Sequence, residues 1–333
     1  MLQNPHAHVA GHIPVVSTGE LPAPDVVRHL LDEAWTRFAP VAEGEVAGYI
    51  PALAAASPSL FGLALVGTDG AIYTAGDASA EFSMQSVSKP FVLALVCDEI
   101  GEAAVRDRIG VNSTGLPFNS VMAIELGAER TMNPMVNAGA IATTSLLPGR
   151  SADERWLFAL DGLSRFAGRR LGMDHDVYRS EAAFNQRNQG IARLLESYGR
   201  IYSDPLEATE VYTRQCSVSV TVADLAVMSA TLAGGGVNPV TGQRVVSAAT
   251  CRRVLAVLAT AGLYERSGAW LFETGLPAKS GVSGGIVTVA PGKVGMATFS
   301  PPLDSAGNSV RGQLATTFLS EQLGLNLFAS APA

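Results

Sequence analysis

Lysine is almost missing from this chain: of 23 basic residues in a length of 333, only Lys89, Lys279 and Lys293 are lysines. Charge of either sign is also scarce, at 16% of residues against a typical share of about 25%. The formal net charge is −7, and the acids form no long run. A negative chain with no basic stripe is excluded from phosphate-backbone binding as its main task, so no nucleic-acid partner is expected. Three cysteines, Cys97, Cys216 and Cys251, lie far apart without C-x-x-C spacing. That excludes a disulfide framework and a zinc site, and leaves buried apolar thiols in a reducing compartment. Four of the five histidines, His6, His8, His12 and His29, fall in the first thirty residues, and His175 stands alone. None pairs with a second ligand at helical spacing within a core element, so neither a metal nor a cofactor is expected. The longest apolar run, Phe91 to Cys97, is far too short to span a bilayer. Residues 1–17 lack a basic start and a continuous apolar stretch, and Pro5 and Pro14 interrupt them. The expectation is a cytoplasmic protein with no membrane partner.

What is present is apolar bulk. Hydrophobic residues make up 47% of the chain, enough to offset the entropy of ordering it. Residues 1–24 read as a loosely held arm. Pro24-Asp25 opens a helix with Val26, Val27, Leu30, Leu31, Ala34 and Phe38 at 3–4 spacing, and a short helix is expected over Gly44–Ala56. Phe61–Val66, the turn Gly67–Gly70 and Ala71–Thr74 read as a hairpin, as do Ile286–Val289, the turn Ala290–Lys293 and Val294–Phe299. Helical segments separated by Gly-, Pro- and Asn-rich loops fill the middle. A last helix is expected to be capped by Asn308, with Val310, Leu314, Phe318 and Leu323 as its apolar stripe. The fold class is therefore α+β: one antiparallel sheet flanked by terminal helices, with an inserted all-helical subdomain. The boundaries expected are 25–100 and 250–333 for the sheet subdomain and 101–249 for the helical one, with a site in the cleft between them.

Two motifs carry chemistry. In Phe82-Ser-Met-Gln-Ser-Val-Ser-Lys89, Ser86 and Lys89 sit one helical turn apart, which suits an amine that takes the proton from a serine nucleophile. A lysine at its free pKa of about 10.4 is a poor base, so the reading needs a desolvated Lys89 beside other positive charge. The plainer alternative is a serine cap with a surface lysine. In Leu276-Pro-Ala-Lys-Ser-Gly-Val282, Lys279 would add that charge, Gly281 would let substrate approach the backbone, and the N–H groups of Val282 and Ser86 could form an oxyanion hole. Alone it could be a glycine-rich turn. Two of only three lysines fall in these two motifs, which favours the joint reading.

With these motifs in place, the sequence resembles the serine-dependent glutaminases, which share the fold of serine β-lactamases and penicillin-binding proteins. The resemblance runs from about Gly44 to Phe328. It is carried by both lysine motifs together with Gly44-Glu-Val-Ala-Gly-Tyr-Ile-Pro51, Gly115-Leu-Pro-Phe-Asn-Ser120 and Asn133-Pro-Met-Val-Asn-Ala-Gly-Ala140. Ser180-Glu181 with Arg187-Asn188, and Ser300-Pro-Pro-Leu-Asp-Ser-Ala-Gly-Asn308, complete it. In Glu210–Cys216 only Tyr212 and Cys216 match. The resemblance implies hydrolysis of L-glutamine to L-glutamate and ammonia through a γ-glutamyl ester on Ser86, with Lys89, Tyr264 and Lys279 catalytic. It implies substrate contacts at Ser86, Asn137, Glu181, Asn188, Tyr212, Tyr264 and Val282, and a homo-oligomer, dimer or tetramer. The substrate is a zwitterion: Glu181 suits its ammonium, the neutral donors suit its carboxylate and amide, and Tyr264 could relay a proton to the leaving ammonia. By residue type alone, Asn137 could simply end a turn, Glu181 could be solvated, and both tyrosines could be core aromatics. The runner-up is a β-lactamase or cell-wall peptidase, against which stand the missing export signal and S-D-N triplet. A silent binding module would need a broken Ser86, Lys89 or Lys279.

Overall fold

The computed structural model describes residues 20–127, 130 and 132–329. Most of the expected arm, with His6, His8 and His12, lies outside the described residues. Both expected hairpins form and join one antiparallel sheet. Its strands are β1 (Gly62–Gly67), β2 (Ile72–Gly76), β6 (Ala278–Ser280), β7 (Gly285–Ala290) and β8 (Val294–Phe299), in the order β2-β1-β8-β7-β6. A smaller sheet that the sequence did not suggest pairs β3 (Phe82–Ser83) and β4 (Gly172–Met173) with β5 (Val218–Val220).

Alternation along the central strands divides the interior into two layers. Leu63 and Leu65 of β1 join Val27, Leu31 and Phe318 of the terminal helices Pro24–Phe38 and Val310–Gln322. Ala64 and Val66 point the other way, into a larger core with Phe91, Leu225 and Phe166. Both faces are covered, which is why β1, β7 and β8 are buried along their whole length.

Several elements depart from the sequence reading. The helix expected over Gly44–Ala56 is only Pro51–Ala54, because Glu45 is drawn into a bridge with Leu303. Ser309, not Asn308, caps the last helix, its side chain accepting from Gly312 N. That cap turns the expected stripe: Leu314 is 39% exposed, while Ala315, Phe318, Leu319 and Leu323 are buried. Packing also crosses the expected boundaries. The helix Ser88–Ile100 lies among the helices Asn137–Thr144, Ala152–Ala167 and Ala248–Ala261, whereas Val222–Ala233 lies against β1, β7 and β8. Periodicity shows that such helices are buried, not what buries them.

The last contact is close enough to test. A Cβ on Gly295 of β8 would come within 2.1 Å of Ala230 N and 2.5 Å of Ser229 C, both backbone. Overpacking that neighbours cannot relieve costs about 1–3 kcal/mol or more. Gly295→Ala is expected to lower Tm by several degrees in calorimetry; an unchanged Tm would mean that this helix shifts freely off the sheet.

Candidate active site

Ser86 sits in a 3₁₀ turn, Gln85–Val87, that leads directly into the helix Ser88–Ile100. The turn begins after β3, whose pairing with β5 and the bond from Met84 N to Val218 O (2.8 Å) anchor its entry. Gln85 has φ of +51°, a left-handed conformation that is costly for a residue with a Cβ. It re-aims the chain so that Ser86 starts a turn, where its N–H has no partner within the turn. Gly281 packs against the same feature. A Cβ there would meet Met84 O at 3.2 Å and Gln85 Cβ at 3.3 Å. The glycine therefore admits the protein's own nucleophile turn, where the sequence reading had given its space to substrate.

Lys89 is 2% exposed, and its Nζ donates to Met135 O (3.2 Å) and Asn137 Oδ1 (2.8 Å). Burial brings its pKa down to about 7. A neutral amine has two N–H bonds, both used here, so its lone pair remains for a serine proton. Lys279 is wholly buried; its Nζ donates to Ser280 O (2.6 Å) and lies 4.1 Å from the Tyr264 ring centre. Burial first, then the charge of Lys89, holds Lys279 well below the usual lysine range. The sequence reading asked for both desolvation and nearby positive charge at Lys89; burial lowers Lys89, while the effect of charge falls on Lys279.

Tyr264 follows the helix Ala248–Ala261 and has φ of +55°. Its phenol donates to Ser280 O at 3.2 Å and lies near Ser86. Burial pushes its pKa up to about 12, with Ser86 and Ser280 opposing the rise. The Val282 N–H, just past β6, has no acceptor among the described residues and is free to bind developing negative charge.

A second group lies beyond Lys89. Asn137 opens its helix, and its Oδ1 accepts from both Lys89 and Tyr212 (3.2 Å), while its Nδ2 donates to Asn188 Oδ1 (3.1 Å). Tyr212 is 4% exposed, and burial carries its phenol well above the usual range. Glu181 accepts a hydrogen bond from Gln85 Nε2; burial raises its carboxyl to about 7, against the pull of that bond. Glu181 and Asn188 lie on separate helices, His175–Ala182 and Gln186–Ser197. Asn137 and Tyr212 thus share one hydrogen-bonded group with Lys89 and Asn188, while Tyr264 bonds separately to Ser280 O; both tyrosines are also buried in the core.

Sequence reasoning passed over Gln85, which sits between the nucleophile and Glu181. It also passed over Tyr49, which is 61% exposed, and Phe118, whose ring lies 4.7 Å from that of Tyr264. Tyr49 and Phe118 line a groove of about 920 Å³ that Val282 and Gly307 also border. The available signal was their position inside the motifs Gly44–Pro51 and Gly115–Ser120. Among the described residues no group of three or more His, Cys, Asp or Glu could hold a metal, and no helix is long and apolar enough to cross a membrane.

The family model described as Glutaminase matches residues 44–328. Glutaminase 2 of Yersinia pestis is 56% identical over 322 residues, 97% of this chain and 95% of that protein. The glutaminase of Colwellia psychrerythraea is 51% identical over 307 residues, covering 92% and 99%. Among solved structures, one described as probable glutaminase ybaS superposes with a TM-score of 0.91 at 45% identity, over 93% of this chain and 100% of that one. Mglu in its glutamate form gives 0.86 at 43%, over 92% and 70%. With the family model matching residues 44–328 and relatives this similar along almost the whole chain, the chain belongs to the glutaminase family.

Proposed function

We propose that the chain hydrolyses L-glutamine to L-glutamate and ammonia through a γ-glutamyl ester on Ser86. The observation that carries this is the buried, doubly anchored amine of Lys89 one turn from a serine in a strained turn. Ser86 Oγ attacks the side-chain amide carbonyl while its proton passes to Lys89. The N–H groups of Val282 and Ser86 hold the oxyanion. Collapse breaks the C–N bond, and the proton delivered through Tyr264 lets ammonia leave; water then attacks the ester by the reverse path. The Glu181 carboxylate takes the α-ammonium, and the amides of Asn137 and Asn188, with Tyr212, take the α-carboxylate. Mglu in its glutamate form supports a family site shaped for this product. We further place the protein in the cytoplasm as a homo-oligomer. Three free, buried cysteines support a reducing compartment, and sedimentation velocity tests the oligomer.

Ammonia release from glutamine, beside hydrolysis of a chromogenic β-lactam, tests the function. Turnover of the β-lactam alone would favour the penicillin-binding reading. Recognition is tested at Glu181. Truncating one partner of a buried charge pair costs about 2–5 kcal/mol, so Glu181→Gln is expected to lower kcat/KM for glutamine by ~30-fold or more. An amide substrate without the α-ammonium should lose far less. Equal losses would show that Glu181 serves the fold or the nucleophile instead.

A further inference from the structure

Behind the nucleophile turn runs a buried relay of side chains that the chemistry above does not use. The carbonyl of Gln85 accepts Ser88 Oγ at 2.8 Å and the Ser88 N–H as well. Ser88 Oγ accepts in turn from Gln215 Nε2 at 3.4 Å, and Gln215 Oε1 meets the Thr144 hydroxyl at 3.2 Å. Ser88, Gln215 and Thr144 all have 0% exposure.

The placement of these three residues gives the relay its meaning. Ser88 opens the helix that carries Lys89. Thr144 closes the helix that Asn137 opens, and Gln215 lies one turn beyond Tyr212 on the helix Pro205–Cys216. One fully buried amide thus ties together the elements that present Ser86, Lys89, Asn137 and Tyr212. Apolar side chains of similar shape could replace such a cluster with little loss of stability, so stability alone does not account for it. What hydrogen bonds add is direction. The group they hold is the carbonyl of the residue in the left-handed conformation, the one whose relaxation would swing Ser86 away from its base.

We infer that Gln215 is a positioning residue that, acting through Ser88, holds the Gln85 carbonyl and so keeps the strained turn aiming Ser86 at Lys89. The inference rests on Ser86 being the nucleophile. It assigns Gln215 no contact with substrate and no proton to carry. Its effect should appear in the rate of acylation, because displacing a reacting atom by about 1 Å can cost about 100-fold, and not in substrate affinity.

The test uses Gln215→Met, Ser88→Ala and the double variant, with melting curves to confirm folding. Rapid-quench mass spectrometry follows the γ-glutamyl adduct on Ser86 in a single turnover, and steady-state assays give KM. Each single variant is expected to slow adduct formation by ~10–100-fold with KM within about 2-fold of wild type. The double variant should be no slower than the slower single, because both changes release the same carbonyl. Wild-type acylation in folded Gln215→Met, or losses that multiply in the double variant, would overturn the inference. Should Gln215→Met not fold, Ser88→Ala decides alone: wild-type acylation there removes the clamp. A wild-type enzyme that turns over glutamine with no adduct on Ser86 would instead overturn the nucleophile assignment, so the two failures are distinct.

Discussion

Ser86→Ala is expected to fold normally and to release ammonia from glutamine about 10⁴–10⁶-fold more slowly than wild type. Only one oxygen is removed, from a side chain 7% exposed in a short turn. The turn keeps its backbone bonds, including Val87 N to Met84 O at 3.1 Å. Tyr264 keeps its acceptor at Ser280 O, so no buried phenol is orphaned. The melting temperature should therefore stay within a degree or two of wild type. What disappears is the hydroxyl one turn from Lys89, and with it the covalent step. Intact-mass analysis of the quenched reaction should show a γ-glutamyl adduct on wild type and none on the variant. Retention of even a hundredth of the activity would sink the mechanism.

Lys89→Arg should be as damaging as Lys89→Ala, although it keeps a cation. Arginine does not release its proton near neutral pH, so it cannot accept one from Ser86. Its planar fork would also have to fit where one amine now reaches both Met135 O and Asn137 Oδ1. A variant with more than about a tenth of wild-type kcat, a barrier change of only ~1.4 kcal/mol, would make Lys89 an electrostatic group. The pH profile gives an independent check. Lys89 must be neutral and Glu181 ionised, and burial places both near 7 in the free protein. Below that pH each must lose a proton before reaction, so kcat/KM should fall with decreasing pH along a limb of slope two. Glu181→Gln removes one ionisation, and its limb should have slope one. A slope of two in that variant would assign the second ionisation elsewhere.

How far these expectations could be read without coordinates depends on the range of the interaction involved. Both hairpins formed near their expected places, because alternation and turn residues are local. The helix Pro24–Phe38 also formed where its 3–4 spacing put it, with Val27, Leu31 and Ala34 buried. The last helix, by contrast, turned its buried face away from Leu314, because Ser309 took the cap and neighbouring layers chose the face. Glu181 and Asn188 stand seven residues apart, two turns if on one helix, but one helix ends at Ala182 and the next begins at Gln186.

The sequence by itself determined the chemistry on offer: a serine and a lysine one turn apart, a second lysine motif, and an acid with neutral donors suited to an amino acid. These are matters of residue type and short spacing, which covalent geometry enforces. Only the tertiary structure decided whether that chemistry could run. Gln85 meets Glu181 across 96 residues of chain. The pKa of Lys89 falls because helices from distant segments strip it of water, and Gly281 matters because another strand's turn presses on it. Desolvation and close approach depend on what the rest of the chain brings to a point, and no local pattern records that.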